Sequence, residues 1–446
     1  IFSKEIVEFH PPLFSVLLAI GHVFFPEKLA DHLIPMLISI SGISLIYLLG
    51  AKIKDPFTGL CAAINLAFNV LYLSISTHIL IDGTLAVFVM LFIHVLLNTS
   101  AFPARGSTGE QIVIGSIAAS VILLKWSGIL VIPLFLCYLS LCPGHISLQK
   151  RIKGSLLAFA IPLMAVLFLL FNNLFQLGHF LPDISALEGK YLIKPVWYYL
   201  LNLHNILILP YLIPLFLFGI FIIIKARTPG HILLAIWFLV FLGGISLTPE
   251  KDLRYGILLL PSALLISCVG LSTLIEWCAR TEKQRSLIGA LAIIAMLGTY
   301  SILFPRVQRF LDKGALTFTG FKEAGQRVKE EASANTLIMA SSPRIIRYYS
   351  HINFKEFGGQ IVSLSMDRLV FEETVKNEKG PLIVTVDHWE RTSQPKWLYP
   401  VSPNTRQYME GLGFRLIYVE EQEIYGATGK KELTPVVWVF KRSEAE

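Results

Sequence analysis

His10-Pro11-Pro12-Leu13 leads into the first apolar run of the chain, and the course of that run sets the orientation of every later segment. Two successive prolines fix two φ angles and push the residue before them out of the helical region. The chain therefore turns sharply and presents His10 at the mouth of the apolar run. Residues 13–25 then supply only 13 residues before Pro26, where a span needs about 20. The segment is read as a juxtamembrane or re-entrant helix that does not cross.

Beyond it the chain is mostly membrane. Of 446 residues, 54% are hydrophobic and 15% charged, whereas soluble domains carry roughly a quarter charged residues. Mean hydropathy is +0.63. Up to about residue 304 the charges stand in short clusters between apolar runs, and after residue 312 the composition is that of a soluble protein. Two domains are expected, a multi-span domain over 1–312 and an α/β domain over 313–446. The net charge of +7 need not mean a nucleic-acid partner, because basic loops between spans are the usual mark of cytoplasmic retention, and no nucleic acid is expected. The five cysteines (61, 137, 142, 268 and 278) lie in or beside apolar runs with no metal or disulfide spacing and read as packing residues.

Apolar runs at about 33–50, 57–76, 83–98, 111–124, 127–142, 154–174, 205–224, 231–248, 254–276 and 287–304 give about ten spans. Lys125-Trp126-Ser127-Gly128 divides a stretch too long for one span. Basic clusters fall at Lys52/Lys54, Arg105, Lys150/Arg151/Lys153, Lys225/Arg227 and Arg280/Lys283/Arg285, in alternate loops without exception. Those loops are placed in the cytoplasm of an inner, plasma-membrane protein. His10, Asp82, the Lys125 turn, the loop 175–204, the segment Pro249–Arg254 and the C-terminal domain then share the extracytoplasmic side. In that domain, strands are expected at 336–340, 381–386, 415–419 and 436–440, with helices near 344–350, 367–378 and 404–412. This alternation suggests a partly parallel sheet. No Gly-rich phosphate loop comes after any strand.

Several polar residues sit beside spans on that outer side. Asp82 opens an apolar helix; it either caps that helix or serves a site, as metal ligand or in orienting an acceptor, because an acid at membrane depth is costly unless used or paired. Lys125, between two short helices, either snorkels to the interface or meets a phosphate. Arg254-Tyr255 ends the charge-dense segment Glu250–Tyr255, where guanidinium and phenol suit the oxygens of a phosphodiester; the alternative is a solvated loop. His10 either bonds backbone at its proline turn or joins Glu5 and Glu8 in a polar network, with Glu8 and His10 the candidate ligands should a divalent metal be used. His78, His204 and Trp197-Tyr198-Tyr199 read foremost as an interface belt. Asp387-His388-Trp389 stands after a strand and reads as a surface turn.

Taken in order, His10-Pro11-Pro12-Leu13, Asp82 with Leu85 and Phe88, Leu124-Lys125-Trp126-Ser127-Gly128, and Arg254-Tyr255 leading into Leu258–Pro261 resemble the polyprenyl-phosphate-sugar-dependent glycosyltransferases of the GT-C fold. The nearest types are the aminoarabinose-to-lipid-A transferases and the protein O-mannosyltransferase-like group. The resemblance runs over about 300 residues. It implies a polytopic α-helical membrane enzyme with a C-terminal extracytoplasmic α/β domain. It also implies inverting transfer of a sugar from a polyprenyl-phosphate donor to a lipid, glycan or protein acceptor. Donor phosphate binding then falls to Lys125, Arg254 and Tyr255, with His10 and Asp82 in support. The catalytic acid of such enzymes comes just after the first span, a position expected before Ile1. The lysine here stands between Leu124 and Trp126 where the family commonly has Thr and Gly. The competing class is a lipid-linked-sugar flippase or secondary transporter, which would place its polar groups at mid-depth and show internal repeats; no clear repeat is seen.

Overall fold

The computed structural model describes residues 11–77, 80–99, 107–141, 152, 155–177, 194–248, 251–315, 320–350, 360–365, 367–388, 397–398, 404–425 and 431–442. Glu5, Glu8, His10, His78, Glu250 and Trp389 lie outside the described residues. The chain divides into two compact units, with the boundary between Val307 and Gln308.

The first unit is a bundle of apolar helices. Among the described residues, six helices are long and apolar enough to cross a membrane: Leu29–Ile53, Ile81–Asn98, Leu156–Phe175, Pro229–Leu247, Leu260–Cys278 and Glu282–Pro305. A seventh crossing is broken, with Pro56–Ala67 and Val70–Ser76 meeting at 61°. Thr108–Leu124, Trp126–Leu141 and Leu212–Ala226 are apolar but shorter, so a count of ten needs these three and the bent pair as spans. Leu13–Phe24 is a 12-residue helix. At 1.5 Å per residue it rises about 18 Å, well short of a hydrocarbon core of about 30 Å. His22 on it bonds Asp31 of the next helix at 2.7 Å.

Local sequence explains where the helices start. Asp55 caps Pro56–Ala67 by accepting from Thr58 N at 2.7 Å, with Pro56 at the first turn. Ser107 and Glu110 form a reciprocal capping box at the start of Thr108–Leu124. Thr228 caps Pro229–Leu247. The break at 67–70 is a difference from the continuous run read at 57–76, and Asn69 is its cause. Fully buried, its side-chain oxygen accepts from Leu71 N and Tyr72 N at 3.0 and 3.2 Å, while its amide donates to the Ile206 carbonyl at 3.0 Å. One side chain thus restarts the helix inside an apolar run.

Glycines set the closest helix crossings. A Cβ on Gly219 would strike the Ile266 carbonyl, and one on Gly270 the Leu215 carbonyl, so Leu212–Ala226 and Leu260–Cys278 touch backbone to backbone. Small residues permit such approach where lipid offers no hydrophobic drive between helices. Leu260–Cys278 ends in a charge cluster: Glu276 meets Lys54 and Arg285 at 2.8 Å each, and Arg285 reaches Asp55 at 3.1 Å. Asp82, Lys125 and Arg254 lie at the opposite end of the bundle, the grouping of loops that charge alternation predicts.

The second unit is a five-stranded sheet in the order β2-β1-β3-β5-β4, made of β1 (Leu337–Ala340), β2 (Gln360–Ser363), β3 (Leu382–Asp387), β4 (Phe414–Tyr425) and β5 (Lys431–Arg442). β1 pairs parallel with β2 and β3, and β5 pairs antiparallel with β3 and β4. Period-2 alternation sends Ile338, Ala340 and Ile383 into one core with Phe321, Val328 and Ile346, and Met339, Leu382 and Val384 into the other with Phe371 and Met409. Helices thus cover both faces, so β3 is buried throughout. The partly parallel sheet expected from the sequence is present; β2 and the helix Phe321–Glu331 are additions to it. Asp387-His388 is not a surface turn: both are buried, at 1% and 5% exposure. The Asp387 carboxylate accepts from Ser341 and Ser342 hydroxyls at 2.5 and 2.7 Å, because β1 and β3 end side by side.

Three substitutions test this architecture. Gly270→Leu forces backbone apart at the Gly219 crossing and is expected to cost more than the ~1–3 kcal/mol of ordinary overpacking. Gly243→Leu, which meets nothing within 4 Å, leaves the melting temperature of the detergent-solubilised protein near wild type; equal melting of the two variants refutes the close crossing. Asn69→Ala removes the bonds that restart the broken helix and is expected to cost ~1–3 kcal/mol, read in the same melting experiment.

Candidate functional site

Asp82, Lys125, Arg254 and Tyr255 are far apart in sequence and converge at one end of the helical unit. Asp82 lies in the first turn of the helix Ile81–Asn98 and is buried. Its carboxylate accepts from the Lys125 ammonium at 2.6 Å. Pairing, rather than capping, is how the acid is accommodated at that depth.

Lys125 owes its position to a break. Thr108–Leu124 ends at Lys125, whose backbone is extended, and the chain resumes as a 3₁₀ turn over Trp126–Leu130. The turn folds back on the helix so tightly that a Cβ on Gly128 would strike the Val121 carbonyl. Only glycine fits there, and the fold-back aims Lys125 at Asp82 and at the ring of Tyr255. The Lys125 ammonium lies 4.5 Å from that ring centroid, a cation–π arrangement that strengthens as water is excluded.

Arg254 and Tyr255 stand on a second 3₁₀ turn, Leu253–Leu258, whose start is capped by Asp252 accepting from Arg254 N at 2.9 Å. Arg254 donates to the Tyr255 hydroxyl at 3.1 Å, and its guanidinium carbon lies 5.0 Å from the Tyr255 ring centroid. Asp252 is 3.6 Å from Arg254 Nε. Burial opposes the Arg254 charge, but Tyr255 and the carboxylates of Asp82 and Asp252 outweigh it and hold the guanidinium protonated above its usual range. Tyr255 therefore has two cations near its ring. Its hydroxyl and the Arg254 fork provide donors that a phosphate oxygen can accept from.

The aromatic pair read as an interface belt contributes as well. Tyr199 is fully buried and stacks edge-on against Tyr198 at 5.1 Å. Burial, with Tyr255 and Asp252 close by, pushes its phenol above the usual range. Sequence reasoning did not single out Lys194 or Lys251 as site residues. Lys194 donates to the Lys251 carbonyl at 2.6 Å and lies 4.5 Å from the Tyr198 ring centroid. The signal for Lys251 was the density of charge just before Arg254; Lys194 carried none. His204 is not part of the cluster: with Asn205, Ile208, Pro210 and Ile213 it lines a separate cavity of about 400 Å³. Glu8 and His10 lie outside the described residues. Among the described residues no three His, Cys, Asp or Glu side chains come together to hold a metal, and the Asp82 carboxylate is engaged by Lys125.

No family model matches the chain, and no curated protein matches it in sequence. Solved structures do match. The chain is similar to ArnT from Cupriavidus metallidurans in the apo state, with a TM-score of 0.59 at 12% identity over 97% of this chain and 88% of that one. ArnT bound to undecaprenyl phosphate gives a TM-score of 0.54 at the same identity and coverage. The apo oligosaccharyltransferase of Archaeoglobus fulgidus gives 0.65 at 11% identity, over 97% of this chain and 80% of that one. The likeness runs through helical unit and sheet alike, and it shows that this polytopic membrane protein, with its C-terminal α/β domain, has the GT-C fold.

Proposed function

We propose that the chain is a membrane glycosyltransferase that moves a sugar from a polyprenyl-phosphate donor to a lipid, glycan or protein acceptor, with inversion, on the extracytoplasmic face of the plasma membrane. The observation that carries this reading is the convergence of Lys125, Arg254 and Tyr255 at one end of an otherwise apolar bundle. The ArnT structure with undecaprenyl phosphate supports a lipid phosphate as the ligand of such an end. The loop-charge alternation supports the assignment of that end to the extracytoplasmic side.

The chemistry is set by where charge develops. The acceptor hydroxyl attacks the anomeric carbon, the bond from that carbon to the phosphate oxygen breaks, and the electron pair leaves with the polyprenyl phosphate. The donor phosphodiester carries one negative charge and the departing monoester carries two. Arg254 and Tyr255 face the added charge with preformed donors, the arrangement that stabilises a transition state more than a ground state. Lys125 adds a point charge, and Asp82 fixes its position. The Asp82 carboxylate is held by the Lys125 ammonium, so it serves as a positioning residue rather than as the base. A general base takes the acceptor's proton, and neither Lys125 nor Arg254, both held as cations, serves as that base.

Arg254→Ala and Lys125→Ala each remove a donor aimed at the leaving phosphate. Loss of one such donor costs about 10²–10³ in kcat. Each variant of the full-length protein is expected to lose transfer from a polyprenyl-phosphate sugar on that scale; Arg254→Ala keeps its melting temperature within a few degrees, whereas Lys125→Ala, which strands the buried Asp82 carboxylate, lowers it. Unchanged transfer by both variants would rule out the phosphate clamp.

A further inference from the structure

The cavity beside His204 plays no part in the clamp, and the backbone of its wall is strained. Ile208 has φ 68° and ψ −44°, and Leu209 N donates across it to the Leu207 carbonyl at 2.8 Å. This is a γ-turn of the rare, strained hand. Among the described residues Ile208 is the only β-branched one with positive φ, a conformation such side chains rarely adopt. The turn lets Leu207 and Leu209, on either side of it, both be buried, and Asn69 anchors it through the Ile206 carbonyl. Burial of the two leucines explains the turn but not the residue. Glycine makes the same turn without strain. The isoleucine therefore contributes through its side chain, which lines the cavity with His204, Asn205, Pro210 and Ile213. Backbone strain of this kind collects at ligand clamps.

The polar part of the wall offers acceptors. His204 Nδ1 lies 3.0 Å from the Leu201 carbonyl, so that nitrogen donates and Nε2 of the neutral ring accepts. The Asn202 amide donates to the Tyr198 carbonyl, and its oxygen accepts from the Asn205 amide at 2.9 Å, which leaves the Asn205 oxygen. Two acceptors thus stand on neighbouring residues. Among the described residues no lysine, arginine or carboxylate lines the cavity, which sets it apart from the clamp. The apolar part of the wall continues along a helix. Ile213 heads a stripe with Leu217, Phe221 and Ile224 on Leu212–Ala226, the last three exposed, at the spacing of one helix face. Lys225 stands at the far end of that helix, so loop charge assigns the cavity to the outer leaflet. Any span shows such a stripe; a cavity with two acceptors at its head is particular to this one.

We propose that the cavity holds the head of an outer-leaflet phospholipid bearing a primary amine. The ammonium donates to His204 Nε2 and Asn205 Oδ1, and an acyl chain lies along Ile213, Leu217, Phe221 and Ile224. An ammonium has three N–H donors and serves both acceptors together, whereas a choline head has none. The volume of about 400 Å³ is that of a small-ligand pocket. The plain alternative, water on both acceptors, leaves the apolar part of the wall wetted without polar partners for the water. The lipid neither gives nor takes a sugar, so the site stands apart from the transferase reading.

The test uses the full chain purified in detergent, with lipid binding read by native mass spectrometry. Dioleoyl phosphatidylethanolamine, its N-methyl and N,N-dimethyl derivatives and the matching phosphatidylcholine lose one N–H at each step. Wild type is expected to bind the ethanolamine lipid about tenfold more tightly than the choline lipid, with the methylated lipids in order between them. His204→Phe and Asn205→Leu each cut that ratio by about threefold or more, while Asn205→Asp, which keeps the acceptor, preserves it. The ratio is read within one protein, so a change in folded fraction cancels. Equal affinity for the two end lipids in wild type, or a preference that survives both substitutions, overturns the site. Dioleoyl phosphatidylglycerol bound as tightly as the ethanolamine lipid overturns it too, because the cavity would then answer to hydroxyls rather than to an amine.

Discussion

A bilayer interior offers no hydrogen bonds, so each backbone group freed inside it must be satisfied by the protein itself. This constraint shapes the helical unit more than any single contact. Wherever a helix stops short, something polar has to stand at the gap. At 67–70 it is Asn69, bonding two backbone amides and a carbonyl. At 125–130 it is a 3₁₀ turn folded onto its own helix over Gly128. At 253–258 it is another 3₁₀ turn capped by Asp252. Two of these three gaps carry the candidate site. Two of the breaks in regular structure and the proposed chemistry are therefore the same places, because a break is where a helix end leaves room for charge.

The electrostatics of that end depend on close pairing. A lone ammonium or carboxylate there would carry a large desolvation penalty. Asp82 and Lys125 offset each other through a charge-assisted bond of 2.6 Å. Tyr255 presents its ring to Lys125 and Arg254 and its hydroxyl to Arg254. An aromatic ring attracts cations, so one tyrosine offsets part of the repulsion between the two like charges near it.

Asp82, Lys125 and Arg254 were legible in the sequence because a charge inside or beside an apolar run is conspicuous, and because loop charge grouped them on one side. What the sequence could not show was that Lys125 pairs with Asp82, since that contact closes across 43 residues and depends on the fold-back at Gly128. Asn69 went unread for the opposite reason: it is uncharged and sits in a run whose hydropathy never falls. Lys251 looked like one member of a solvated loop, and only packing reveals its burial. The buried Asp387 is a case of the same kind, held by serines 45 and 46 residues away. The sheet's core strand β3 was plain from its unbroken apolar stretch, whereas β2, four residues with Gln360 and Ser363 at its ends, carried too little pattern to separate it from a loop.

The helix Leu260–Cys278 has a charged station at each end, Arg254 and Tyr255 before it and Glu276 with Lys54 and Arg285 at its close, and it is locked to its neighbour by the Gly219–Gly270 contact between them. Its 19 residues rise about 28 Å, close to the hydrocarbon thickness of an ordinary bilayer, about 30 Å. The protein thus contains its own gauge of membrane thickness. In a much thicker bilayer, lipid must thin locally or one charged station must be drawn into hydrocarbon. Because the glycine contact denies this helix the freedom to tilt alone, the whole bundle would have to answer the mismatch together.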